Sequence, residues 1–234
     1  MSGDLEWVLF EFGSDETLRD RSRLVKLMSE VVKQSDFRFR PSLTLAHPPP
    51  ELVENSLHAL TTAWDTAHCE GQFGALIDCI RPNGFCVGFG VEFANYGRLH
   101  VTTNNGSISG LDPVHYENVE SLTWICETVY VTTHPEYGYG MVSPQTHPFA
   151  VSDPWQSGDH VWAVYDFNFY GPNLASALGR DRLRSAPTWK TVEFDDGGIF
   201  LQMSPSPIAE WELYTHNYER TAEILGLEII YQGG

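Results

Sequence analysis

Hydrophobic positions in the first half of the chain change period several times, and each change marks a predicted element. Apolar and acidic side chains mix over residues 5–12 in a pattern that predicts a strand, and Ser14 then opens a helix with leucines and valines at helical spacing. Residues 39–50, which include three successive prolines, are predicted to be irregular. Apolar stripes predict two further helices at 51–68 and 113–133, and turn motifs separate predicted strands at 73–81, 84–93, 98–104 and 137–143.

The second half shows the same alternation more clearly. A long apolar run predicts a strand at 160–169, and a Gly-Pro pair then opens a short helix that ends at Gly179. Strands are predicted at 189–194 and 199–203, on either side of an Asp-Gly-Gly turn. A helix over 207–225 and a last strand over 227–231 complete the chain.

The order of these elements predicts the fold class. The second half reads β-α-β-β-α-β, and the first half gives almost the same order with one additional helix. We therefore predict an α+β protein of two ferredoxin-like lobes with antiparallel sheets, the first lobe carrying the extra helix. The predicted lobes are residues 1–143 and 159–234, and the proline-punctuated segment 144–158 is predicted to connect them.

The charge of the chain limits the kinds of partner that it is expected to bind. The formal net charge is −17, and residues 41–179 hold fourteen acidic side chains against only Arg81 and Arg98. This balance argues against direct binding of nucleic acid, which requires a basic surface. Two interpretations remain open: the charge serves solubility, or it attracts a basic protein partner.

The sequence lacks the common motifs of catalytic sites. It contains no nucleophile elbow, phosphate-binding loop, dinucleotide fingerprint or paired metal-ligand spacing. The local groupings His134-Pro135-Glu136 and Asp195-Asp196-Gly197-Gly198 are interpreted as loop and turn chemistry. We therefore expect a protein that is not an enzyme and that uses no metal and no cofactor.

Location is predicted from the cysteines and the N-terminus. The four cysteines contain no C-x-x-C pair and are interpreted as buried thiols, with a single disulfide as the alternative. The acidic start of the chain lacks the features of a secretory signal, and no apolar run is long enough for a membrane span. We expect a cytoplasmic protein without a membrane partner.

The second half also resembles a known family. The motifs that carry the resemblance are WAVYDFNFYGP at 162–172, LGRDRL at 178–183, AP at 186–187 and DGGIFLQ at 196–202. In this order they look like the immunity protein 52 family of bacterial polymorphic toxin systems. The resemblance implies a cytoplasmic antitoxin that neutralises a cognate nuclease toxin, often a type VI effector with a restriction-endonuclease-like domain. It supplies no catalytic residues.

Candidate toxin contacts are therefore chosen from loops, acidic charge and aromatic side chains. They are Glu92, Tyr96, Glu117, Glu120, Glu136, Tyr137, Tyr139, Asp153, Trp155 and Asp159. For Tyr137 and Tyr139 a packing role in the sheet is the alternative, and for Trp155 a role as a plug between the lobes. Two other functions stay open, namely a hydrolase with a pocket between the lobes and a non-catalytic acidic scaffold.

Overall fold

A computed structural model describes residues 7–13, 21–34, 38–41, 75–92, 98–142, 163–207 and 209–229 of the chain. The predicted helix at 51–68 and the predicted connecting segment 144–158 lie outside these ranges. The helices of the described ranges are α1 (Arg21–Gln34), α2 (Pro113–Thr133), α3 (Pro172–Leu178), α4 (Arg180–Ser185) and α5 (Thr215–Leu225). The strands are β1 (Trp7–Gly13), β2 (Arg38–Pro41), β3 (Ala75–Ile80), β4 (Cys86–Glu92), β5 (Arg98–Asn104), β6 (Tyr137–Val142), β7 (Ala163–Val164), β8 (Phe167–Tyr170), β9 (Lys190–Glu193), β10 (Ile199–Gln202) and β11 (Glu228–Ile229).

Nine of the strands form one antiparallel sheet in the order β2-β3-β4-β5-β1-β6-β8-β10-β9. The mixed α+β class and the antiparallel pairing of this sheet are as predicted. The remaining two strands, β11 and β7, form a separate pair that is parallel rather than antiparallel.

The two predicted lobes do not have separate sheets. Strand β6 of the first half pairs directly with β8 of the second, with Tyr137 opposite Tyr170 and Gly140 opposite Phe167. Just past the ladder, the Gly171 N–H donates to the Glu136 carbonyl at 2.8 Å. A Cβ at position 171 would approach that carbonyl oxygen to the same 2.8 Å, so the close contact requires glycine.

The ferredoxin-like arrangement is therefore not confirmed for the second half. Three of its strands do follow the order expected for a split β-α-β unit, namely β8-β10-β9. The position beside β8, however, is held by β6, because the last strand β11 pairs with β7 instead. The unit is completed by a strand from the other half of the chain.

Helix α2 lies over the main core, and its ends are set by local chemistry. Asp112 caps the start by accepting a hydrogen bond from the His115 N–H at 3.2 Å, and Pro113 occupies the first turn. At the other end His134 adopts a left-handed conformation and its N–H bonds the Tyr130 carbonyl. These signals explain why the predicted and observed bounds of this helix agree.

One hydrophobic core joins side chains from both halves. Val119, Leu122, Ile125, Cys126 and Val129 of α2 are buried in it, and burial raises the pKa of the Cys126 thiol. The same cluster contains Leu27, Phe85 and Phe89 from the first half and Phe167, Phe169 and Phe200 from the second. The Phe169 and Phe200 rings stack with centroids 4.4 Å apart.

Three predicted elements differ from the structure, and in the first of them a side chain competes for the backbone. The predicted strand at 160–169 is interrupted, since the Asn168 amide accepts from the Tyr165 N–H and donates to the Tyr165 carbonyl. The predicted helix at 207–225 is an α-helix only from Thr215, and the residues directly before it, Trp211–Tyr214, form a 3-10 turn. Strand β2 lies partly in a segment predicted to be irregular, and it pairs with β3.

A shared core predicts one cooperative unfolding transition. Because Phe200 is fully buried among rings from both halves, F200A should lower the free energy of unfolding by about 3–5 kcal/mol, whereas V131A at an exposed position should change it little. Urea denaturation followed by circular dichroism and by tryptophan fluorescence measures both. Two separated transitions, with F200A moving only one of them, would show that the halves fold independently.

Candidate functional site

Two of the predicted contact residues lie together on the outward face of α2. Glu117 and Glu120 are exposed and one helical turn apart. Among the described residues neither carboxylate is in an ion pair, whereas Glu127, further along the helix, is 2.6 Å from the Lys190 ammonium group. The start of α2 therefore presents two carboxylates without an ion pair in the described ranges, and the Arg81 guanidinium reaches the neighbouring Ser121 hydroxyl at 2.7 Å.

Glu136 lies at the opposite end of this helix. It is exposed in the short connection between α2 and β6, and the Asn173 amide nitrogen is 3.5 Å from its carboxylate. At a rise of about 1.5 Å per residue, the sixteen steps from Glu117 to Thr133 span about 24 Å along the helix axis. The structure does not bring Glu117, Glu120 and Glu136 into one site.

Tyr137 and Tyr139 are core side chains in this structure. They are 4% and 6% exposed, and their rings stack on Tyr170 at 6.0 Å and on Tyr165 at 4.4 Å. Burial raises the pKa of Tyr137 well above its ordinary value. The packing role that the sequence left open is the one seen, and a partner would reach these rings only after a rearrangement.

The other predicted contacts lie outside what the structure describes in detail. Glu92 ends strand β4 opposite Arg98, and only its backbone is described. Tyr96, Asp153, Trp155 and Asp159 lie outside the described ranges. Their role as toxin contacts stays a prediction.

A polar cluster around Asp196 connects elements that are distant in sequence. The carboxylate accepts a hydrogen bond from the Gly198 N–H at 2.8 Å and from the Tyr130 hydroxyl at 3.1 Å. The His134 Nδ1 atom is 3.1 Å from the same carboxylate. The cluster therefore ties the β9–β10 turn to the C-terminal end of α2.

The electrostatics of this cluster favour an ionised Asp196. Partial desolvation acts to raise its pKa, but the hydrogen bonds from Gly198, His134 and Tyr130 outweigh it and hold the pKa below the ordinary value. Burial and the nearby carboxylate charge together raise the pKa of Tyr130. The sequence contained both halves of this cluster as separate turn motifs, but their pairing across sixty-two positions had no local signal.

The structure also shows an exposed aromatic surface that the sequence analysis missed. Trp189 and Leu213 are 54% and 78% exposed, and the Trp189 and Tyr214 rings meet edge to face at 6.0 Å. Tyr116 at the start of α2 meets the same surface through a side-chain hydrogen bond with Glu210, and desolvation together with this bond raises the pKa of the Tyr116 hydroxyl. We name this surface, formed by Tyr116, Trp189, Glu210, Glu212, Leu213 and Tyr214, the Trp189 surface.

Two further features of the described residues bear on metal binding and on membrane spanning. Within the described residues, no group of three or more His, Cys, Asp or Glu side chains is placed to hold a metal ion. No described helix combines the length and hydropathy needed to cross a bilayer.

Comparison with known proteins identifies no family. No family description matches the sequence, and no curated protein matches it. One solved structure with a similar chain course is a T6SS protein of Pseudomonas aeruginosa, which is 9% identical over 93% of this chain and 73% of that chain, with a TM-score of 0.49. At that level the similarity assigns neither a family nor a function.

The Asp196 cluster predicts a specific dependence of stability on pH. Because the folded state lowers the pKa of Asp196, its contribution is present above the ordinary Asp pKa of about 3.9 and is lost as pH falls through the folded-state value. D196N should therefore lower stability at pH 7, by about 1 kcal/mol or more, and flatten the loss of stability below about pH 4. Thermal denaturation from pH 2.5 to pH 7 measures this.

The control is D195N at the exposed neighbouring position, which removes the same charge. It should leave both the stability and its pH profile close to those of the wild type. Equal effects of D195N and D196N would mean that overall charge, and not the hydrogen-bonded cluster, sets the acid response.

Proposed function

We propose that this chain is an immunity protein that binds a basic protein toxin and neutralises it through an acidic surface. The observation that carries the proposal is the exposed pair Glu117 and Glu120 on α2, which form no ion pair with another described residue, within a chain of net charge −17. A nuclease toxin presents basic side chains to the phosphates of its substrate. An acidic inhibitor attracts that surface and competes with the nucleic acid for it.

The resemblance of residues 162–202 to the immunity protein 52 family supports the finer form of the proposal. In that form the toxin is a type VI effector with a restriction-endonuclease-like domain, and the immunity protein acts in the cytoplasm of the cell that makes the toxin. The protein binds and does not turn over a substrate. Solubility and a scaffold role explain acidic charge in general, but neither requires that the charge be unpaired on one helix face.

Ion pairs in the second half bear on which surface attracts the partner. Arg184 contacts Glu193 through two hydrogen bonds, at 2.7 and 2.8 Å, and Asp181 through a third at 3.0 Å. These contacts raise the pKa of Arg184 and lower that of Glu193. Charges that are satisfied within the chain add little to the attraction of a partner, so in this proposal the α2 face has the larger role.

Charge reversal on the α2 face tests the proposal. The partners to be assayed are the proteins encoded by the genes on either side, purified separately. With the one that is bound, E117K/E120K should slow association about tenfold or more and weaken its dependence on salt, because electrostatic attraction mainly changes association rates. Biolayer interferometry at several salt concentrations measures both quantities.

The matched control is E223K/E228K, which changes the net charge equally at exposed positions on α5 and β11. It should keep nearly the wild-type association rate. Equal slowing by both variants would assign the effect to net charge alone. Failure of both neighbouring proteins to bind, or to be inhibited as nucleases, would contradict the toxin-neutralising function itself.

A separate measurement tests the hydrolase alternative. The His134–Asp196 contact at 3.1 Å names the side chains that would carry such catalysis. On plasmid DNA, casein and p-nitrophenyl acetate, the purified protein should show no turnover above that of a boiled sample. Activity that copurifies with the protein and is abolished in both H134A and D196N would replace the binding function with catalysis at this cluster.

A further inference from the structure

The Trp189 surface exposes large apolar side chains of a kind that is normally buried. Trp189 and Leu213 expose more than half of their side chains although both are large and apolar. Their positions are held by the backbone: the Trp189 N–H donates to the Gln202 carbonyl at 2.9 Å, and the Leu213 N–H to the Glu210 carbonyl at 3.0 Å. Apolar side chains that are fixed in place and exposed are typical anchors of protein interfaces.

Carboxylates border this apolar surface. Glu212 is exposed, and the Glu210 Oε2 atom is buried without a hydrogen-bond partner in the described structure. The nearest cation along the chain, Lys190, is already held by Glu127 at 2.6 Å. The surface therefore offers the exposed Glu212 carboxylate, while the partly buried Glu210 adds negative charge behind it.

The chemistry of the surface favours a cationic occupant. An indole ring attracts guanidinium and ammonium groups over its face, and carboxylates bind the same groups by charge-assisted hydrogen bonds. A second copy of this chain fits poorly, because a two-fold interface would place Glu210 and Glu212 against their own equivalents. Nucleic acid is disfavoured by the same two charges.

We propose that the Trp189 surface is the place where a protein partner docks a segment rich in arginine or lysine. In this docking the cationic side chains contact the Trp189 ring and the Glu212 carboxylate, and the charge of Glu210 adds to the attraction. The inference rests on the proposed function, because it locates the anchor for the basic partner that Glu117 and Glu120 attract. Tyr116, which bonds Glu210 of this surface, lies on the same helix as Glu117 and Glu120.

Fluorine NMR of protein labelled with 5-fluorotryptophan tests this without a toxin. The probe is an acetylated hexa-arginine peptide, with hexaglutamate as the control, and W189F assigns the Trp189 resonance among those of the seven tryptophans. Hexa-arginine should shift this resonance saturably, and hexaglutamate should not. Affinity should fall roughly tenfold in E210Q/E212Q and stay near the wild-type value in E223Q/E228Q.

Because Glu210 is partly buried, the folding of E210Q/E212Q is checked by thermal denaturation. The single variant E212Q, at an exposed position, gives the same test with a smaller expected loss of peptide affinity of about threefold. Peptide binding that leaves the Trp189 resonance unmoved, or that weakens equally in both double variants, overturns the proposal. So does self-association in sedimentation velocity that is abolished by W189A, because it would assign the surface to a second copy.

The same variants separate this inference from the proposed function. If a neighbouring protein is inhibited equally well by the wild type and by W189A/L213S, the toxin function stands and the anchor is overturned. If hexa-arginine binds at Trp189 but neither neighbouring protein is bound, the cation-binding surface stands and the toxin function is lost.

Discussion

The pairing of β6 with β8 is the contact on which the rest of the structure depends. It places the two halves of the chain in one sheet, and the hydrogen bond from Gly171 to Glu136 continues it beyond the ladder. Both surface clusters span this junction. His134 reaches Asp196, and Tyr116 reaches Glu210, only because α2 of the first half lies beside the β9–β10 hairpin and the segment that precedes α5 in the second.

Burial and charge are arranged differently around this junction. Rings from both halves fill the core, and Tyr130 of α2 stacks on Phe194 with centroids 4.1 Å apart. At the surface, carboxylates of the second half are paired with arginine, whereas Glu117 and Glu120 of α2 form no ion pair with another described residue. Such unpaired carboxylates suit the binding of a basic partner, because no existing ion pair has to be broken when the partner arrives.

Local signals made some of these features predictable from sequence. Helix α2 was predicted with its observed bounds, because its cap, its N-terminal proline and its apolar stripe all lie within the helix or next to it. Partners of strands were not predictable: β11 was expected beside β8 and lies against β7, a choice decided by packing far away in sequence. The positions of Tyr137 and Tyr139 were predictable only in part. Their alternation with glycine puts both on one face of β6, but only the structure shows that this face is buried. The exposure of Trp189 had no sequence signal, because a tryptophan at the start of a strand is ordinarily expected to be packed.

Hydrogen exchange of the free protein tests most directly the claim that the halves form one body. Slowly exchanging amides of β6 and β8, followed by NMR, should open only with the free energy of global unfolding, because their ladder lies inside the nine-stranded sheet. The amides of the β4–β5 and β8–β10 ladders should give the same value. Exchange of the β6–β8 amides at a clearly lower free energy, with those two ladders still protected, would show that the halves separate and would contradict the account.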